Sequence, residues 1–191
     1  MLTNLTNLGG NRGDSTHGTA VDGSRAQLGY DRVGIGGNDD ETMNRQPSEQ
    51  CNSISWLLWH MSRVLETVVH SRSQNLPQLW VIDGWHKKIG MSDDPEDRGV
   101  GWTAAQVASW TPPSKEVQMA YYLVVKEATK YFLTNATPAV LEKESVFPPV
   151  AEPRSAALAM GQVTWDAIAH GGQIAYLRGL YLSMGWPGSI C

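Results

Sequence analysis

A helical repeat running unbroken from about residue 155 to residue 184 constrains this chain more than any other feature in it. Its centre, residues 165–181, reads WDAIAHGGQIAYLRGLY. Asp166, His170, Gln173 and Leu177 fall at i, i+4, i+7 and i+11, so they share one stripe, which Gln162 extends one turn earlier. Leu158, Val163, Ile168, Ile174 and Leu177 are expected to pack against neighbouring elements. A carboxylate and an imidazole one turn apart have Cβ atoms only about 5–6 Å apart, close enough to share one metal ion. Taken alone, the helix is explained more simply by a polar pair hydrogen-bonded to an adjacent helix, the commoner origin of such a match. Gly171, Gly172 and Gly179 each weaken the helix by about 1 kcal/mol relative to Ala. They are expected to serve close approach of a neighbour or ligand. Gly185 and Pro187 supply its stop.

A second helix is expected from Asn52 or Ser53, either of which can cap it, to about Ser71. Ile54, Leu57, Leu58, Met61, Val64, Leu65, Val68 and Val69 repeat at helical spacing. His60 lies three residues after Leu57 and four before Val64, so it points to the core. A buried imidazole needs a partner there. A lone core histidine is more often a satisfied packing residue than a ligand, but two helices delivering such side chains inward change that balance.

Residues 74–113 form a long connection rich in Gly and Trp. Its indoles Trp80, Trp85, Trp102 and Trp110 are read equally well as a cover over a pocket or as core where regular structure is absent. The acidic run Asp93, Asp94, Glu96, Asp97 lacks calcium-loop spacing and is expected to be solvated. Thr103 and Gln106 make a capping box for a short helix before Pro112-Pro113. Ser114 is expected to cap the next helix, with Val117, Ala120, Tyr121, Val124, Val125, Ala128 and Phe132 on its apolar face. Thr137-Pro138 opens a brief helix, and SVFPPVAEP reads as extended.

Two of these motifs resemble a known family. HGGQIAYLRG, with Asp four residues before its His, is similar to the last-helix signature of DinB-like proteins. NSISWLLWHMSRV is similar to their first metal-site helix, and WVIDGWHKKIGMSDDPEDRGVGWTAAQVASWTPPS to the long connection of one branch. The resemblance spans about residues 39–185. It implies an all-α fold, the up-down-down-up four-helix bundle, carrying a divalent metal on three side chains, here His60, Asp166 and His170. Many members have His where this chain has Asp166, so zinc, nickel, iron and manganese all stand as expected ions. Two His and one carboxylate leave positions open, which suits a reactive metal better than a closed structural one. Gln173 is expected to orient a ligand or bound water. His70 is ten residues from His60, about 15 Å along a helix, too far to share the ion. His86 lies in the connection and is free to swing in. Arg178, Tyr176 and Tyr181 are weaker candidates for substrate contact, equally explained by packing.

Some DinB-like relatives are metal-dependent transferases or isomerases that use low-molecular-weight thiols, so a thiol S-transferase is one expected activity. A non-catalytic metal-binding or structural bundle is the other. No nucleophile–base pair, phosphate loop or dinucleotide fingerprint points elsewhere. A net charge of −4 argues against nucleic acid as a partner. The absence of a long uncharged apolar run argues against a membrane span. Cys51 and Cys191 are far apart and read as reduced thiols of a cytoplasmic protein.

The chain divides at residue 46. Residues 1–46 hold nine of its nineteen glycines and one aromatic, Tyr30, with no helical periodicity. They read as disordered or aberrant. Residues 47–191 are the bundle domain. Nothing before about Asp39 resembles the family's first helix. Its lack would bare one side of the core, which a homodimer partner is expected to cover.

Overall fold

The computed structural model describes residues 35–183. Ser53 starts the central helix, its hydroxyl accepting from Trp56 N–H at 3.1 Å, a cap worth about 1 kcal/mol. This helix, α2 (Ile54–Glu66), is preceded by a short α1 (Asp40–Asn44) and runs on into a π-helical stretch, Thr67–Ser73. Residues 54–63 are all buried, polar ones included. A helix buried on every side needs cover all round. α6 (Lys115–Asn135) and α8 (Ala156–Leu182) pack along it, and the Trp-rich connection wraps the remaining side.

That connection carries α3 (Leu79–Ile82), α4 (Trp85–Ile89) and α5 (Ala104–Ser109), the last with the expected capping box. Its indoles are core. Trp80 and Trp85 are buried, while Trp102 and Trp110 lie 5.2 and 5.5 Å from the Trp59 ring. Gly99 makes this contact feasible. Its φ is +77°, and a Cβ there would fall 2.7 Å from Trp56 and 2.8 Å from Trp59.

The acidic run is exposed at Asp93, Asp94 and Glu96, as expected, but it also makes structural contacts. Glu96 bridges Arg72 at 2.6 Å and Arg98 at 2.9 Å, and Asp97 Oδ1 accepts from Gly99 N–H and Trp102 Nε1–H. The main chain of the same run serves Arg63. That guanidinium is fully buried and donates to the carbonyls of Asp94, Pro95 and Asp97, to Gln78, and to Glu66 at 3.0 Å. Glu66 in turn accepts from Trp80 N–H and the Tyr121 hydroxyl. Two buried charges are tolerated because every strong donor and acceptor has a partner.

Residues 35–46, assigned by sequence to the N-terminal segment, belong to the packed domain. Ile35 and Met43 are fully buried, and Asp40 accepts from Lys115 N–H at 2.7 Å. Asp40 therefore satisfies the start of α6, and the Ser114 hydroxyl makes no capping bond. Residues 1–34, the remainder of that segment, lie outside the described residues, as do Gly185, Pro187 and Cys191.

α7 (Pro138–Glu142) follows α6, and Glu144–Ser145 pairs antiparallel with Arg154–Ser155, so the segment expected to be merely extended begins in a two-residue ladder. α8 starts at Ser155 as expected, its hydroxyl accepting from Leu158 N–H. Among the described residues, only one side of α8 is covered. Val163, Ile174 and Leu177 are buried, but Leu158 is 55% and Ile168 71% exposed, because no described element lies over that face. Val124 of α6 is likewise exposed. The helix glycines do not serve close approach either: a Cβ at Gly171, Gly172 or Gly179 would meet nothing within 4 Å. Among the described residues, no helix is long and apolar enough to cross a membrane.

Candidate metal centre

The packing of α8 on α2 brings His60, Asp166 and His170 together. One ligand-type atom from each lies within 4.8 Å of the others. His60 is buried, its ring stacked on Trp56 at 4.8 Å with 9° between planes and edge-on to His170 at 5.1 Å. Asp166 and His170 are each about a quarter exposed or less, at 27% and 19% of their side chains. The cluster therefore opens on one side only.

Hydrogen bonds decide which ring nitrogens face the cluster. His60 Nδ1 contacts the Arg98 carbonyl oxygen, which can only accept, so Nδ1 carries the proton and Nε2 a lone pair. His170 Nδ1 donates to Gln173 Oε1 at 2.7 Å. Its Nε2 lies 3.3 Å from Asp166 Oδ1. Oxygen acceptors holding the outer nitrogens are the usual device for orienting imidazole ligands.

The two imidazoles respond to their surroundings in opposite ways. Burial pushes the pKa of His60 down, opposed in part by its bond to the Arg98 carbonyl and by the Asp166 charge. It is held neutral, as a ligand must be. The hydrogen bond to Asp166 raises that of His170, with Gln173 adding to the effect and burial opposing it. A proton between His170 Nε2 and Asp166 thus stands where a cation would compete for both.

Two imidazole nitrogens and one carboxylate oxygen, neutral on the buried side and anionic on the open side, fit a borderline divalent ion.

Other candidates are placed elsewhere. His86 sits in α4 with Nδ1 on the Trp80 carbonyl at 2.8 Å, so it does not swing into the cluster. His70 lies in the π-helical stretch. Tyr181 donates to the Arg45 carbonyl at 3.1 Å, and Arg178 Nε lies 3.5 Å from the Gly36 carbonyl, so both tie residues 36–45 to α8. Tyr176 is 73% exposed. Sequence reasoning missed the Arg98 carbonyl and the Trp56 ring. A main-chain acceptor has no side-chain signature, whereas Trp56, one turn before His60, was within reach of the i, i+4 rule.

The profile of the DinB superfamily matches residues 35–174. A solved structure, the conserved protein of locus from Enterococcus faecalis, superposes with a TM-score of 0.68 at 22% identity. The alignment covers 83% of this chain and 92% of that one, and it shows a shared fold. No curated protein matches the chain. With the profile spanning most of its length, including all three residues of the cluster, the chain belongs to the DinB superfamily.

Proposed function

We propose that this protein binds one divalent metal ion on His60, Asp166 and His170 and uses it in thiol-dependent group transfer. One observation carries the reading: both histidines have their Nδ1 protons committed to oxygen acceptors, which leaves both Nε2 lone pairs for an ion, that of His170 3.3 Å from Asp166 Oδ1. When bound, such an ion acts as a Lewis acid that favours the thiolate form of a thiol near neutral pH. The chain's own residues do the rest. Trp56, with Trp59 and Trp102 behind it, closes the buried side of His60 to water. Gln173 fixes the ring of His170 from the open side. In the transfer itself, sulfur forms a bond to an electrophilic carbon. The leaving group departs with its bonding pair, and the thiol proton neutralises it, so no oxidant is needed.

A low-molecular-weight thiol such as glutathione, bacillithiol or mycothiol is the co-substrate this reading requires. The test is cobalt substitution followed by thiol titration. Thiol addition should perturb the visible spectrum, and Asp166→Ala should abolish both that change and thiol consumption with an electrophile. An unchanged cobalt spectrum at millimolar thiol would leave a metal-binding bundle without this chemistry.

A second reading, a bundle retained for self-association, is favoured by the uncovered face of α8. Leu158, Trp165 and Ile168 are 55%, 71% and 71% exposed at heptad-compatible spacing.

A further inference from the structure

An open groove of about 630 Å³ lies between the 47–52 turn, the first turns of α2, and α8; none of the three cluster residues lines it, and Gln173 is its link to them. Leu57 and Leu177 form part of its lining, Ala169 and Gly172 line the α8 side, and Tyr176 flanks them. The Cys51 thiol, exposed and 3.2 Å from the Ser48 hydroxyl, belongs to the opposite wall. Gln173 belongs to both places: it lines the groove and accepts the Nδ1 proton of His170. Leu57 precedes His60 by one turn, and Ala169 adjoins His170. The two helices that hold the cluster therefore also build the groove.

We infer that this groove binds the uncharged, apolar body of the second substrate, an aromatic or alkyl electrophile, with its reactive end toward Gln173 and His170. This rests on the metal-centred reading above and adds the substrate class to it. The volume falls within the roughly 300–1,000 Å³ of small-molecule sites, which are mostly apolar with a few placed polar groups. No lining residue is charged; the polar ones are three amides, a thiol and the Tyr176 phenol. An anionic ligand would find no counterion here, and its desolvation would go uncompensated. That separates the two substrates. Glutathione, with two carboxylates and an ammonium, does not match this lining, whereas a neutral aromatic ring does.

Gly172 supplies the test. It is exposed in mid-helix, and a Cβ there meets nothing within 4 Å, so Gly172→Leu projects a side chain into the groove while favouring the helix. The probe is N-phenyl-1-naphthylamine, neutral and fluorescent in apolar sites, added to the metal-loaded full chain. Wild type should bind it at least tenfold more tightly than Gly172→Leu, with unchanged metal content and a thermal midpoint in the variant no lower than wild type. The sulfonated analogue 1-anilinonaphthalene-8-sulfonate should bind wild type at least tenfold more weakly. Bound neutral probe should also slow alkylation of Cys51 by iodoacetamide several-fold, read on the Cys51 peptide by mass spectrometry. This last measurement needs no variant to fold. Equal binding by Gly172→Leu, equal binding of the sulfonate, or unprotected Cys51 would each overturn the assignment. Failure of the metal reading looks different: probe binding and Cys51 protection persist while the purified protein takes up no ion.

Discussion

His60 donates its Nδ1 proton to the main-chain carbonyl of Arg98, a residue 38 positions further along the chain. The bond joins the central helix to the Trp-rich connection at the point where the imidazole must be aimed. Arg63, one turn further along α2, holds the carbonyls of Asp94, Pro95 and Asp97 just upstream of that acceptor. The connection thus orients the buried ligand, while Gln173 orients the open one.

Gln173→Ala should lower metal affinity about 10–100-fold, the usual effect of removing a group that orients a metal-bound histidine. The fold should be unaffected, because Gln173 is exposed. Competition with a chelator of known affinity measures this directly. Affinity equal to wild type would show that the His170 ring needs no such support.

In the metal-free protein, His170 should titrate above its ordinary value of 6.5, and His60 below it. The protonated His170–Asp166 pair therefore contributes stability that is fully present below pH 6.5 and is lost as pH rises through the raised value. Metal ion and proton compete for the same atoms, so metal affinity should fall as pH drops through that same value. Histidine Cε1–H shifts followed by NMR give both titrations. Asp166→Asn should bring His170 back toward 6.5.

Arg63→Ala should destabilise the protein by about 3–5 kcal/mol, because it leaves the Glu66 carboxylate buried without its cation. Tyr121→Phe, which removes one neutral donor from the same carboxylate, should cost about 1–3 kcal/mol. Urea denaturation of the two variants decides the order. A larger loss for Tyr121→Phe would mean that Arg63 is not the group that balances Glu66.

If the uncovered face of α8 joins two copies, Trp165→Glu combined with Ile168→Glu should convert a dimer to a monomer. Sedimentation velocity gives the answer. Both side chains are 71% exposed, so the double change should cost little stability within one chain. A wild-type protein that sediments as a monomer across the micromolar range rules this interface out.

Local signals made the main helices legible. Ser53 and Ser155 act as caps, Thr103 and Gln106 form the expected box, and apolar residues at helical spacing marked α2, α6 and α8. Asp166 and His170 were readable as a pair because helix geometry alone sets their separation. The resemblance of two motifs to DinB-like proteins supplied the bundle, which spacing by itself does not distinguish from other helical packings. Arg63 and Glu66, by contrast, look in sequence like an ordinary surface pair three residues apart. The arrival of residues 94–97, Gln78, Trp80 and Tyr121 over α2 makes them a buried pair.

What the sequence determined by itself was what lies within one helix: where it starts, which side chains share a stripe, and that a carboxylate and an imidazole stand one turn apart on α8. What tertiary structure decided was every relation between elements. It set His60 beside that pair, aimed its ring with the Arg98 carbonyl, drew Ile35 and Met43 into the core and left Leu158 and Ile168 exposed. The division has a physical cause. Periodicity and caps depend on groups within one or two turns, whereas burial and main-chain acceptors depend on which distant segment arrives at a given face, and no local pattern encodes that arrival.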